Sequence, residues 1–245
     1  MKLMDKASVR KLVWEKLKHV AIPDSRFHLD FNQFIPDFNG SHVARTNLVD
    51  LDLYKSANTV FVTPDNCLEE LREQIVLDGK TQVMPTYGIR RGFVILSPED
   101  VSEGMARYSV SLDHIEKVGK YIGLNEIRDA YKLDLLVTGA SAVNYSGVRF
   151  GKGHGFFDLE WAMLYQIGAV VDSTPVIAFV HESQFVDIEL EVDEFDTICD
   201  YIVTPKRIVH VEGHRKPTAG IIWNKLSDGM MNDIPPLQEL KLIDL

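Results

Sequence analysis

The chain has 245 residues, 45% hydrophobic and 25% charged, an ordinary globular composition that excludes the disordered and fibrous classes and suffices for one large α/β domain or two small ones. A formal net charge of −10, from 26 basic and 36 acidic residues, argues against nucleic acid or an anionic membrane as partner and leaves room for a local basic pocket that holds a small anion. Cys67 and Cys199 form no C-x-x-C pair and no metal-ligand spacing, so two buried thiols in a reducing compartment are expected.

The first residues, "MKLMDKASVRKLVWEKL", are charged throughout and hold no apolar signal-peptide region. No run of 18 apolar residues follows, so a cytoplasmic protein with no membrane span is expected. Val9, Leu12, Val13, Leu17 and Val20 fall at helical spacing behind Asp5, a plausible cap. Residues 22–41 read as an aromatic-rich loop, with Pro23, Pro36 and Gly40, packed over the domain surface. A second helix is expected over 42–57.

From 58 an α/β rhythm sets in. "NTVFVTP" reads as a short buried strand ending at Pro64; a helix follows, with Asp65 at its cap and Gly79 at its end, then the strand "TQVMPT". Strand, helix, strand at this spacing implies a parallel sheet. Residues 88–110 read as irregular, with a strand expected at Phe93–Leu96, and 112–131 as helical in two pieces. "KLDLLVTGASAV" is the clearest strand. A helix from about Phe156 to Gly168, a strand "TPVIAFVH", and two more strands at "CDYIVTP" and "AGIIWNKL" complete the pattern. One α/β domain of six or seven strands over 1–226 is expected, with a C-terminal surface extension over 227–245.

The richest stretch is "SGVRFGKGHGFFDLEWAML", Ser146–Leu164. Gly151, Gly153 and Gly155 sit two apart, with Arg149 and Lys152 among them and Asp158 close behind. Glycines before a helix can turn successive backbone N–H groups inward to cradle phosphate, and the helix start adds positive potential. Arg149 could fork onto phosphate oxygens, Lys152 could add a point charge, and Asp158 could hold Mg²⁺. The spacing matches neither G-x-G-x-x-G nor G-x-x-x-x-G-K-[ST]. It reads equally as a turn whose Asp158 caps a core helix.

The same stretch resembles the signature "R-[LI]-G-x-G-x-G-[YF]-x-D" of the 5-formyltetrahydrofolate cyclo-ligase (methenyltetrahydrofolate synthetase) family. "KASVR", "TPVIAFVHESQFVD" and "DEFDTICDYIVTP" resemble that family's other landmarks in the same order. "IPDFNGSHVA", "LDGKTQVMPTYGIR" and "KPTAGIIW" are similar to a divergent branch, the methenyltetrahydrofolate synthase domain-containing type. The resemblance covers Lys6 to about Leu226.

It implies a three-layer α/β/α fold with a mostly parallel sheet, like the sugar-phosphate isomerase and coenzyme A transferase group. It further implies conversion of 5-formyltetrahydrofolate and ATP to 5,10-methenyltetrahydrofolate, ADP and phosphate, with ATP and Mg²⁺ as cofactors and a reduced folate or similar small molecule as substrate. Lys6 and Arg10, four apart on one helix face, resemble the family's phosphate-contacting pair. Arg149, Gly151, Lys152, Gly153, His154, Gly155 and Phe156 resemble its ATP loop, and Asp158 its Mg²⁺-associated aspartate.

Phe156 and Phe157 stand where classical members carry two tyrosines, and a phenyl ring stacks but donates no hydrogen bond. No motif marks the classical folate-side glutamate, for which Glu69, Glu70 and Arg72 are the candidates. These departures leave two alternatives: an ATP-binding relative in another cofactor pathway, for example thiamin metabolism, or a non-enzymatic binding or regulatory module. His181, beside Glu182 and Gln184 at a strand end, reads as a hydrogen-bonded structural histidine with a possible ligand role, and His210 and His214 as exposed loop residues. The carboxylates of 187–196 read as a solvated face or edge strand, except Asp196, which the family resemblance singles out.

Overall fold

The computed structural model describes residues 4–213 and 215–243; His214 lies outside them. The strands are β1 (Thr59–Val62), β2 (Thr81–Pro85), β3 (Phe93–Leu96), β4 (Lys120–Ile122), β5 (Leu135–Thr138), β6 (Ala142–Asn144), β7 (Arg149–Phe150), β8 (Val176–Phe179), β9 (Phe185–Val186), β10 (Tyr201–Val203) and β11 (Ile208–His210). The helices are α1 (Lys6–Leu17), α2 (Ser41–Val49), α3 (Asp52–Ser56), α4 (Glu69–Leu77), α5 (Ala106–Val110), α6 (Ile115–Val118), α7 (Leu124–Ala130), α8 (Phe156–Gln166), α9 (Met230–Asp233) and α10 (Pro235–Leu240).

Eight strands form the central sheet in the order β11-β10-β8-β5-β1-β2-β3-β4. The five from β10 to β2 are parallel; β11, β3 and β4 add antiparallel edges. Alternate side chains of each strand leave opposite faces, so a parallel sheet covered on both sides needs apolar residues at every position. That is why the runs "TVFV", "LLVT" and "VIAF" do not alternate with polar residues. Phe61, Leu136, Ala178 and Ile202 pack with α7, α8 and the C-terminal helices. Val60, Val62, Leu135, Val137, Ile177 and Val203 pack with α2, α3 and α4. The result is the expected three-layer α/β/α architecture.

Several local expectations change. The helix expected over 42–57 breaks after Val49 into α2 and α3, and β4 separates the two helical pieces of 112–131. "KLDLLVTGASAV" is two strands, not one: β5 ends at Thr138, and β6 belongs to a second, three-stranded sheet ordered β7-β6-β9. "AGIIWNKL" forms no strand; Ile221 packs into the core and Trp223–Lys225 make a single 3₁₀ turn. The segment from 227, expected as a surface extension, carries α9 and α10 and buries Ile234, Leu237 and Leu240 in the main core. Cys67 and Cys199 are free, buried thiols, and burial pushes both above their usual range. Among the described residues no helix is long and apolar enough to cross a membrane.

Candidate functional site

From β1 the chain moves one way across the sheet to β2, then returns to place β5 on the other side of β1. Such a reversal leaves a crevice at the carboxyl ends of the two strands. Thr63 to Asp65 follow β1 and Gly139 follows β5; both exits line an open cleft of about 270 Å³. The second sheet carries the glycine loop to the same place. β7 supplies Arg149, the loop supplies residues 151–155, and α8 begins at Phe156. From the far end of the sequence α1 adds Lys6 and Arg10. Every residue singled out by the signature, from Lys6 to Asp158, lines this one cleft.

The cations differ in what holds them. Lys6 Nζ donates to Asp196 Oδ2 at 2.5 Å and to Asp193 Oδ2 at 2.9 Å. Burial opposes its charge, but the two carboxylates prevail and raise its pKa. Arg10 has no ion-pair partner among the described residues. Its guanidinium lies over the Phe150 ring, 5.5 Å from the centroid, and against Gly153; burial lowers its pKa. Lys152 Nζ donates to the Gln33 carbonyl at 3.1 Å and stands 5.0 Å from the Tyr87 ring centroid. Burial lowers its pKa too.

Arg149 is 3% exposed. Its Nη2 donates to Asp158 Oδ1 at 3.1 Å, and its guanidinium lies 4.3 Å from the Phe157 ring centroid. The buried Nε has no hydrogen-bond partner. Asp158 Oδ1 also accepts the Thr197 N–H at 2.9 Å. Asp158 is therefore no helix cap: Gly155, at φ +69°, occupies the N-cap of α8 and no side chain bonds there. The two phenylalanines work as stacking surfaces, Phe157 beneath Arg149 and Phe156 against the exposed His154, with centroids 5.3 Å apart and planes 14° apart. Burial and the neighbouring Lys152 and Arg10 lower the pKa of His154.

Asp65 also departs from its expected capping role. No side-chain cap bond forms; its Oδ2 instead accepts the Thr63 hydroxyl at 2.6 Å and the Gly139 N–H at 2.9 Å, tying the exits of β1 and β5 together. A carboxylate directly after a buried strand end was the available signal, since strand exits line ligand crevices. Glu160, on the second turn of α8, was missed. It lines the cleft, is 3% exposed, and its Oε2 has no partner. Burial, then the nearby Asp65, pushes its carboxyl well above the usual range.

A second cavity of about 310 Å³ adjoins the first and shares Ile35, Pro64, Asp65, Tyr87 and Lys152 with it. Phe27 and Phe34 of the aromatic loop, with Arg26, Arg91 and Glu116, line the remainder. Asp24 anchors that loop, accepting from Arg26, the Phe27 N–H and Asn66 Nδ2. Tyr87 heads a tight turn in which Gly88 and the buried Ile89 take φ of +63° and +58°. A β-branched residue rarely adopts this conformation, and such strain tends to collect at ligand sites.

The folate-side candidates lie elsewhere. Glu69 pairs with Arg107 at 2.9 Å and Glu70 with Arg45 at 3.8 Å. Arg72 is fully buried, lowered by burial to about 10, and donates to the carbonyls of Thr63, Asp65 and Val110, shaping the β1 exit. His181 Nδ1 bonds Ser183, and the buried Gln184 bridges the Ala140 carbonyl and the His181 N–H. Residues 187–196 form an irregular segment rather than a strand, with Asp196 buried under Lys6. His210 is exposed, as expected, but ends strand β11 rather than lying in a loop, and stacks on Tyr201 across the strand pair.

Comparison with known proteins gives the family of the chain. The family model of the 5-formyltetrahydrofolate cyclo-ligase family matches residues 4–205. The human methenyltetrahydrofolate synthase domain-containing protein is 35% identical over 241 residues, covering 97% of this chain and 62% of that protein. Its zebrafish (Danio rerio) counterpart is 31% identical over 244 residues, covering 98% and 62%. The chain thus spans less than two thirds of the length of these curated relatives. Two solved structures share the fold. The 5,10-methenyltetrahydrofolate synthetase of Aquifex aeolicus has a TM-score of 0.54 at 17% identity, over 87% of this chain and 96% of that one. That of Mycoplasma pneumoniae has 0.50 at 14%, over 82% and 98%.

Proposed function

The chain belongs to the 5-formyltetrahydrofolate cyclo-ligase family, and from that premise we propose that it is an ATP- and Mg²⁺-dependent enzyme. Its reaction converts 5-formyltetrahydrofolate and ATP to 5,10-methenyltetrahydrofolate, ADP and phosphate, or does the same chemistry on a related N-formyl or pterin compound. The observation that carries this reading is the pairing of two cavities across Lys152 and Asp65, one holding the glycine loop with Lys6 and Arg10, the other combining the Phe27, Phe34 and Tyr87 rings with the charged Arg26, Arg91 and Glu116.

In this reading the glycine loop, Lys6, Arg10 and Lys152 hold the triphosphate. The formyl oxygen of the acceptor attacks the γ-phosphorus and displaces ADP, the neighbouring N10 amine adds to the activated formyl carbon and gives up its proton, and phosphate then leaves that carbon. Such a transfer asks for alignment and neutralisation of charge more than for an acid or base. Arg149 serves indirectly, holding Asp158 in place. One Asp158 oxygen is committed to Arg149 and Thr197, which leaves the other for a cation. No group of three or more His, Cys, Asp or Glu side chains among the described residues could hold a metal. Mg²⁺ keeps its waters and phosphate oxygens and needs only one or two carboxylates, so one free Asp158 oxygen is enough for an ion that arrives with ATP. It would be held by Asp158 and would neutralise charge on the phosphates.

The test is absorbance of the methenyl product with 5-formyltetrahydrofolate, ATP and Mg²⁺. ATP-dependent product formation is expected. ATP binding without turnover on any N-formyl or pterin substrate would remove the ligase reading and leave the nucleotide site. The loss of both hydroxyls at Phe156 and Phe157 favours a second reading, a different acceptor such as a thiamin intermediate on the same phosphate machinery. Phosphate release across folate and thiamin intermediates separates the two.

A further inference from the structure

Glu160 has no task in the scheme above. It is 3% exposed, lines the cleft, and keeps Oε2 without a hydrogen bond. A buried carboxyl oxygen without a partner is unfavourable, and most buried polar atoms in native proteins are satisfied. Core packing does not call for a carboxyl here, because its helical neighbours Leu159, Trp161 and Met163 are apolar and buried. Phosphate does not call for it either: Lys6, Arg10 and Lys152 already supply cations to the same cleft. A carboxyl at a cleft wall suits a ligand group that brings a hydrogen-bond donor.

We propose that Glu160 is a specificity residue, accepting a hydrogen bond from an amine or ring N–H of the acceptor molecule where that molecule enters the nucleotide cleft. The acceptor's identity as an N-formyl amine rests on the function proposed above; the role of Glu160 rests on its burial and its unpartnered oxygen. A site built to bond a donor discriminates strongly against ligands that lack it, because its own polar group is then left unpaired.

Glu160→Met and Glu160→Gln test this against the unaltered protein. Thermal unfolding is measured without ligand. Calorimetry then follows a non-hydrolysable ATP analogue with Mg²⁺, and 5-formyltetrahydrofolate added after it. Glu160→Met is expected to unfold at the same temperature or a few degrees higher, to bind the ATP analogue within about 2-fold, and to bind the acceptor about 10-fold or more weakly. Glu160→Gln, whose carbonyl still accepts, is expected to recover acceptor binding to within about 3-fold.

Unchanged acceptor binding in Glu160→Met overturns the proposal, as does a parallel loss of unfolding temperature and of both ligands, which marks a structural residue. Should Glu160→Met not fold, a Glu160→Gln protein that folds but loses the acceptor overturns it. If the unaltered protein binds no 5-formyltetrahydrofolate, the folate reading fails by itself. Glu160 is then judged with isocytosine, a ring bearing amino and ring N–H donors. Binding that is lost in Glu160→Met sustains its role, and no binding, or binding equal in both, overturns it.

Discussion

Arg10 covers Gly153: a Cβ on that glycine would lie 2.7 Å from the guanidinium Nη1. The glycine's φ of +112° is one that L side chains rarely adopt. One residue of the first helix and one of the glycine loop, far apart in sequence, thus share a surface that neither could form alone. Gly153→Ala is expected to push Arg10 aside, because the long side chain yields more readily than the backbone. Nucleotide affinity should fall about 10-fold, with about 1–2 kcal/mol lost in stability from the strained backbone. Titration with an ATP analogue and denaturant unfolding measure the two effects separately; unchanged affinity would show that the contact plays no part in binding.

Arg10→Ala and Lys152→Ala each remove a cation without an ion-pair partner among the described residues. A hydrogen bond to a charged group contributes about 1.5–3 kcal/mol, so each substitution should weaken ATP by roughly 10- to 100-fold. Weaker binding at high salt should accompany them. Equal affinity in both variants and the unaltered protein would contradict the assignment of this cleft to phosphate.

Arg149 and Asp158 form a buried pair, with side chains 3% and 11% exposed. Arg149→Met leaves Asp158 buried without its cation, and a loss of about 3–5 kcal/mol is expected. Urea unfolding provides the measurement. A loss below 1 kcal/mol would mean that Asp158 reaches water or another partner.

Asp24 carries a pH dependence. Burial acts against its charge, but hydrogen bonds from Arg26, Asn66 and two backbone N–H groups prevail and hold its pKa well below the usual carboxylate range. A carboxyl lowered by folding contributes stability that is present above the unfolded value, near 3.8, and disappears as pH falls through the folded value. Asp24→Ala should therefore destabilise the protein at pH 7, by about 1–3 kcal/mol. The gap between variant and parent should narrow below pH 4. A gap independent of pH would place the effect in packing rather than charge.

Leu237 is fully buried, whereas Leu242 is 85% exposed. Leu237→Ala is expected to cost about 2–5 kcal/mol, and Leu242→Ala almost nothing. Similar small effects at both positions would return the C-terminal segment to the surface role its sequence suggests.

The α/β class, the parallel sheet and the glycine loop were legible in the chain because each rests on short-range chemistry. Apolar runs such as "TVFV" and "VIAF" must be covered on both faces, and glycines two apart before a helix permit backbone that other residues resist. Lys6 and Arg10 were legible only by resemblance, since nothing local says that residue 10 meets residue 153. What tertiary structure alone decided is partnership. The strand that seemed continuous from 132 to 143 divides at Gly139, because its two halves hydrogen-bond to different sheets. Asp65 abandons the helix behind it for the Gly139 N–H, 74 residues away. Arg149 pairs with Asp158 at the cleft wall, Leu237 and Leu240 complete a core begun at Phe61, and Glu160 comes to stand in the cleft with an oxygen unpaired. Composition and periodicity specify which residues leave water; which of them then meet is set by how the layers pack.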